Sequence, residues 1–221
     1  MTKIDQGGTL PSCTEAVVFD FDGTLADSFP WFAAELNALA RDWGFRQVAA
    51  ADATRLRHLS AEVIFRELCV PRWKLPLIVR DLRRRMTRDI ESIVLFAGIE
   101  RLLNRLAESP LRVAVMSSNA IENIRTVLGP SVCADIEAFE CGVSLNGKQQ
   151  RLKRLSRRLG LPTDRLLYIG DEVRDIEAAR RAGSQAGAVT WGYNCESALR
   201  AKAPDRLFRQ VSEIAEQLLG R

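Results

Sequence analysis

Three apolar runs in this chain end abruptly in polar residues. Val17-Val18-Phe19 meets Asp20, Val113-Ala114-Val115-Met116 meets Ser117-Ser118-Asn119, and Leu166-Leu167-Tyr168-Ile169-Gly170 meets Asp171. Short apolar runs without polar alternation suit strands covered on both faces, the habit of parallel sheets. The strands expected are 16–21, 111–117, a weak one near 135–139, 165–170, 186–191 and a short last one at 206–208. Helical patterns fall between them, at 98–108, 120–128, 148–159, 174–182, 195–201 and 211–219. Alternation of this kind predicts an α/β fold, a parallel sheet with helices on both faces. Gly129-Pro130 and Gly160-Leu161-Pro162 read as helix stops, because glycine supplies the left-handed turn and proline cannot continue the helix.

The first two strands are too far apart for a simple crossover. A strand–helix–strand unit needs roughly 30 residues, yet Asp20 and Ser117 lie 97 positions apart. The intervening segment reads as wholly helical, with a helix at 29–43, another after Ser60 and a long one after Pro76. Ile78, Leu82, Met86, Ile90 and Ile93 recur at helical spacing, which predicts one continuous apolar face. The chain therefore divides into an α/β core of residues 1–27 and 95–221 and an inserted helical cap of residues 28–94, placed as a lid beside the first strand.

Composition narrows the setting. Apolar residues make up 47% and charged residues 27% of the 221, the balance of a globular chain. No apolar run approaches the roughly 18 residues that span a membrane, and the N-terminal MTKIDQGGTLPSCTE lacks the apolar middle of a signal peptide, reading instead as a flexible lead-in. Five scattered cysteines without a CxxC favour reduced thiols and a cytoplasmic setting. The net charge of +4 is mild. Its densest runs, Arg83-Arg84-Arg85 and RLKRLSRR at 151–158, carry leucines at helical spacing in the second case. That pattern reads as a solvated helix face, so no nucleic-acid partner is expected.

Ligands of open parallel sheets bind beyond the carboxyl ends of the strands, and four polar clusters lie there. Asp20 and Asp22 place two carboxylates one residue apart, an arrangement suited to a nucleophile and a general acid/base whose charge is held by a cation. Ser117, Ser118 and Asn119 are either helix caps or a phosphate cradle of hydroxyls and free N–H groups at a helix start. Lys148 is either an ordinary surface charge or, since it opens a helix where the dipole disfavours a cation, a group used on phosphate charge. Asp171, Glu172 and Asp175 are either helix-capping acids or the oxygen ligands that Mg²⁺ prefers.

DFDGTLADS, VMSSN, Lys148 and GDEVRD, in that order and each after a strand, resemble the four motifs of the haloacid dehalogenase superfamily, on its phosphatase branch. The resemblance covers residues 15 to 210 and implies a Rossmann-like core with an inserted helical cap, of the kind found in phosphoglycolate phosphatases. It implies that Asp20 is the nucleophile and a Mg²⁺ ligand, and that Asp22 is the acid/base and offers its backbone carbonyl to the metal. Ser117 and Lys148 would bind the phosphoryl group beside Ser118 and Asn119, and Asp171 would complete the metal site. Asp175 would orient the metal's waters or Lys148, with Glu172 a supporting acid. Dehalogenases of the superfamily lack the second aspartate, so Asp22 implies phosphoester chemistry. NGKQQ at 146–150 stands where those phosphatases carry Lys-Pro. The expected activity is Mg²⁺-dependent hydrolysis of a small phosphorylated metabolite through an aspartyl-phosphate. A phosphotransferase or mutase using the same intermediate, and a non-catalytic binding module, remain the other readings. Arg55, Arg57, His58, Trp73 and Lys74 are the cap residues considered for facing the substrate.

Overall fold

The computed structural model describes residues 14–49, 55, 59, 61–142 and 147–220. The lead-in through Cys13, the lid candidates Arg57 and His58, and Asn146 lie outside the described residues. Six strands, β1 (Ala16–Phe19), β2 (Arg112–Met116), β3 (Ala138–Glu140), β4 (Leu166–Gly170), β5 (Gln185–Val189) and β6 (Arg206–Phe208), form one sheet in the order β3-β2-β1-β4-β5-β6. Every neighbouring pair is parallel. The order reverses between β1 and β4, the crevice where such sheets bind ligands.

Side chains of a strand alternate between faces, and here both faces are dry. Val17, Phe19, Val113, Val115, Leu167 and Ile169 face one way and pack on α4 (Ile99–Ala107), α5 (Ile121–Ala134) and α9 (Val211–Leu219). Ala16, Val18, Ala114, Met116, Leu166 and Tyr168 face the other way, onto α6 (Lys148–Arg158), α7 (Val173–Ala182) and α8 (Glu196–Ala201). The helix stop at Gly129-Pro130 is visible inside α5, where Gly129 leaves helical backbone at φ 76°, ψ 164°. The basic run of α6 buries Leu152 and Leu155 and turns Arg151 and Arg154 toward Glu140.

Between β1 and β2 lie the inserted helices α1 (Phe29–Trp43), α2 (Ala61–Glu67) and α3 (Leu75–Arg88). They close around a core of their own that includes Phe32, Leu36, Ile64, Phe65, Leu68 and Ile78. The chain leaves and re-enters the sheet domain side by side: Asp27 N donates to Val94 O at 2.8 Å, and Phe96 N to Leu25 O at 3.0 Å. The single apolar face expected along 78–93 is divided. Ile78 and Leu82 pack into the inserted core, while Met86, Ile90 and Ile93 pack against the sheet's core. The division falls inside α3, between Leu82 and Met86, because one helix runs from the inserted core to the sheet's core; beyond Arg88 a short 3₁₀ turn, Ile90–Ser92, carries Ile90 and Ile93 on into the latter.

Candidate active site

Asp20 follows β1 directly and extends its pairing, its N–H donating to Ile169 O of β4 at 2.8 Å. Phe21 and Leu25 are fully buried in the sheet's core, which anchors the turn between them. That turn is closed by Leu25 N and Ala26 N donating to Phe21 O, each at 2.9 Å. With Phe19 and Phe21 facing the core, Asp20 and Asp22 project together to the other side. The Phe21 N–H donates to Asp20 Oδ1 at 2.8 Å. Gly23, at φ +76°, lies so near Asp171 that a Cβ would stand 2.2 Å from its Oδ2. Thr24 Oγ1 donates to Asp171 Oδ1 at 3.0 Å, tying the first cluster to the fourth.

Lys148, the first residue of α6, is 4% exposed. Its Nζ donates to Asp20 Oδ2 and to Asp175 Oδ1, both at 2.5 Å. Asp175 also accepts from Tyr168 Oη at 3.2 Å and from Glu172 N at 3.1 Å. Asp20, Asp171 and Asp175 each bring a carboxylate oxygen within 4.8 Å of the others. Burial pushes Asp20 up to about 7 against the pull of Lys148. Burial and then its neighbours Glu172, Asp175 and Asp20 push Asp171 well above the carboxylate range. Burial opposes ionisation of Asp175 too, but Lys148 and Arg174 overcome it and hold that carboxyl low. Burial likewise works against the charge of Lys148, and Asp175 and Asp20 reverse it, so the ammonium persists. Three converging carboxylates, with Lys148 bridging only Asp20 and Asp175, offer the oxygen donors that a hard divalent cation fits.

At the end of β2, Ser117 is buried and its Oγ accepts from Asn119 N at 3.0 Å. Asn119 is engaged on every side: Nδ2 donates to Asp22 Oδ2 at 3.2 Å, and Oδ1 accepts from Ala120 N and Asn123 Nδ2, both at 2.8 Å. Its side chain thus positions Asp22. Burial raises the Asp22 carboxyl to about 6, and hydrogen bonds from Ser28 and Asn119 restrain the rise. A cavity of ≈ 140 Å³ opens over Asp20, Asp22, Ser118 and Asn119 and is roofed by the inserted helices.

The family model for haloacid dehalogenase-like hydrolases matches residues 17–189. The chain belongs to that family. Similar curated proteins include a phosphoglycolate phosphatase of Synechococcus elongatus, 34% identical over 91% of this chain and 96% of its own length. Another, from Xanthomonas campestris, is 29% identical over 91% of this chain and 92% of its own. Among solved structures, a haloacid dehalogenase-like family protein of Streptococcus pneumoniae superposes with a TM-score of 0.79 at 20% identity, covering 93% of this chain and 98% of that one.

This haloacid dehalogenase-like hydrolase brings all nine sequence-named residues to the C-terminal edge of its sheet, and adds others. Tyr193 donates its N–H to Asp171 Oδ2 at 2.7 Å, pairs its hydroxyl with Ser28 Oγ at 3.1 Å and packs its ring on Phe29 and Phe32. Gly192 passes so close that a Cβ would lie 2.4 Å from Gly23 O. These two follow the strand expected at 186–191, but no carboxylate or hydroxyl cluster marks that end, and they reach the site from the loop after β5. Arg174 stands inside GDEVRD and pairs through Nη2 with Glu172. The cap candidates that are described serve surface and packing roles: Arg55 pairs with Glu67, Trp73 is 72% exposed, and Lys74 Nζ donates to Trp43 O at 2.9 Å. Phe29, Phe32, Phe65, Leu82 and Met86 roof the cavity instead, since helical spacing turns those apolar side chains inward.

Proposed function

We propose that this protein is a Mg²⁺-dependent phosphatase of small phosphomonoesters, with residues 28–94 acting as a cap over an active site on the α/β core of residues 1–27 and 95–221. The observation that carries this is Asp20, standing beyond the central strand, bordering the cavity and held by Lys148, with Asp22 beside it. One Asp20 carboxylate oxygen attacks phosphorus in line and the ester P–O bond breaks. Asp22 gives its proton to the departing alkoxide. In the second half Asp22 takes a proton from water, whose oxygen attacks phosphorus, releasing phosphate and restoring Asp20.

Ser117, Ser118, the N–H groups at the start of α5 and Lys148 would hold the phosphoryl oxygens, Lys148 as a permanent cation supported by Asp175. Asp20, the Asp22 carbonyl and Asp171 would hold Mg²⁺, which when bound neutralises charge on the phosphoryl oxygens. Asp175 and Glu172 steady this set from α7, and Asn119 keeps Asp22 aimed. The similar curated phosphoglycolate phosphatases support a small substrate, as does the size of the cavity. Free thiols at Cys69, Cys133, Cys141 and Cys195 support a reducing, cytoplasmic setting.

The test is phosphate release from a panel of phosphomonoesters, with Mg²⁺ and with EDTA. Release should depend on Mg²⁺ and fall to background in Asp20→Asn, whereas Asp22→Asn should accumulate phosphoenzyme. Wild-type-like release by Asp20→Asn would overturn the reading.

A further inference from the structure

The roof and floor of the cavity offer a leaving group very few polar contacts. Phe32, Phe65, Leu82 and Met86 present carbon and sulfur. Trp31 Nε1 is engaged with Asp89, Asn119 with Asp22, and the Tyr193 hydroxyl with Ser28. The cap's cation, Arg83, already has an interaction of its own. Arg174 differs. It borders the same cavity as Asp20 and Asp22, its side chain remains 29% exposed, and Glu172 holds it at Nη2 alone. Its Nε is the one buried side-chain nitrogen or oxygen without a hydrogen-bond partner among the described residues. A buried donor left unpaired is costly and is a strong reason to expect an acceptor there. The phosphoryl oxygens have their own cradle at the ends of β1 and β2, whereas Arg174 approaches from α7, beyond β4.

We propose that Arg174 is a specificity-determining residue whose guanidinium receives a carbonyl or carboxylate oxygen carried by the leaving group beside its ester carbon. Glu172 tethers the guanidinium at Nη2, and the phenylalanines, Leu82 and Met86 of the roof offer that oxygen no hydrogen-bond donor. The proposal rests on the phosphatase reading for its kinetic form, but not for its binding form.

Hydroxyacetone phosphate and phosphoglycolate carry such an oxygen; isobutyl phosphate matches phosphoglycolate in shape and lacks it. With Mg²⁺ present, the wild type should prefer both acceptor-bearing esters in kcat/KM. Arg174→Met and Arg174→Lys should each cut that preference by about 10- to 100-fold, the factor of a charge-assisted hydrogen bond. Preference for both esters assigns the contact to hydrogen bonding, and preference for phosphoglycolate alone assigns it to charge; either supports the role. An equal loss on all three substrates, or an unchanged ratio, overturns it. Calorimetric binding of the same esters to Asp20→Asn, with and without Arg174→Met, needs no turnover. A preference there that Arg174→Met removes supports the role even if the proposed chemistry fails, and no preference there overturns it.

Discussion

Beneath the cavity, whose floor includes Asp20, Ser118 and Asn119, Asp20, Ser117 and Asp171 each stand one residue beyond a strand whose side chains are buried on both faces. The roof rests on seven buried residues between Phe32 and Ile78, and on ion pairs such as those of Arg85 with Glu35, Asp42 and Asp81. Among the described residues the hydrogen bonds that join the two include Asn123 to Thr87 at 3.0 Å, Asn119 Nδ2 to Met86 Sδ at 3.1 Å, Asn194 to Leu59 O at 3.2 Å, and Ser28 to Tyr193 at 3.1 Å. The groups proposed to do chemistry thus stand at the ends of the sheet's strands, where a small displacement is resisted by the whole core. The groups proposed to enclose a substrate pack on a smaller core of their own, which is expected to open at lower cost.

The sharpest way to break that contrast is to cut a cavity on each side. Phe19→Ala should cost about 3–5 kcal/mol and lower Tm by on the order of 10 °C, with every probe moving together. Phe65→Ala removes a similar side chain from the roof, but its loss should appear as faster hydrogen exchange in α1–α3 with the sheet amides unchanged. Equal acceleration in both regions would show that roof and floor unfold as one.

A smaller effect is expected where the loop after β5 crosses Asp171. Gly192→Ala places a Cβ 2.3 Å from Asp171 Cβ and 2.4 Å from Gly23 O. Overpacking of this kind costs about 1–3 kcal/mol, and it should also weaken Mg²⁺ binding measured by calorimetry, because Asp171 must shift. Metal affinity equal to wild type would detach this loop from the proposed metal site.

The mildest contrast is in pH, and its sign differs between the two regions. In EDTA, Asp20 and Asp22 sit at about 7 and about 6, raised chiefly by burial. Folded protein then binds more protons than unfolded, so the floor should gain stability as pH falls from 8 toward 5. Asp20→Asn should flatten that gain and be the more stable protein at pH 8. In the roof, Trp43 and then Arg85 lower Asp81, while Arg88 and Trp31 lower Asp89 to about 2. Their contribution is complete above the usual aspartate value and is lost as pH falls below it. Hydrogen exchange in α1 and α3 should therefore quicken between about pH 4 and pH 2. A roof that tightens over that window would contradict the assignment.

The strands, their parallel sense and the polar clusters at their ends were legible in the sequence because each is a local pattern: an apolar run, a turn residue, a carboxylate at a fixed offset. The helical insertion was legible from spacing alone. Tertiary structure decided what those patterns do to one another. It split the stripe from Ile78 to Ile93 between two cores, the division falling between Leu82 and Met86 of one helix, because periodicity gives the apolar face but not what covers it. It engaged Asn119 with Asp22, and it delivered Tyr193 and Gly192 to Asp171 from a loop more than 20 residues away. It also left Arg174 short of a partner. Sequence spacing determines which face of a helix or strand a residue occupies; which acceptor a buried donor meets depends on how separate elements pack, and that is set only when the chain is folded.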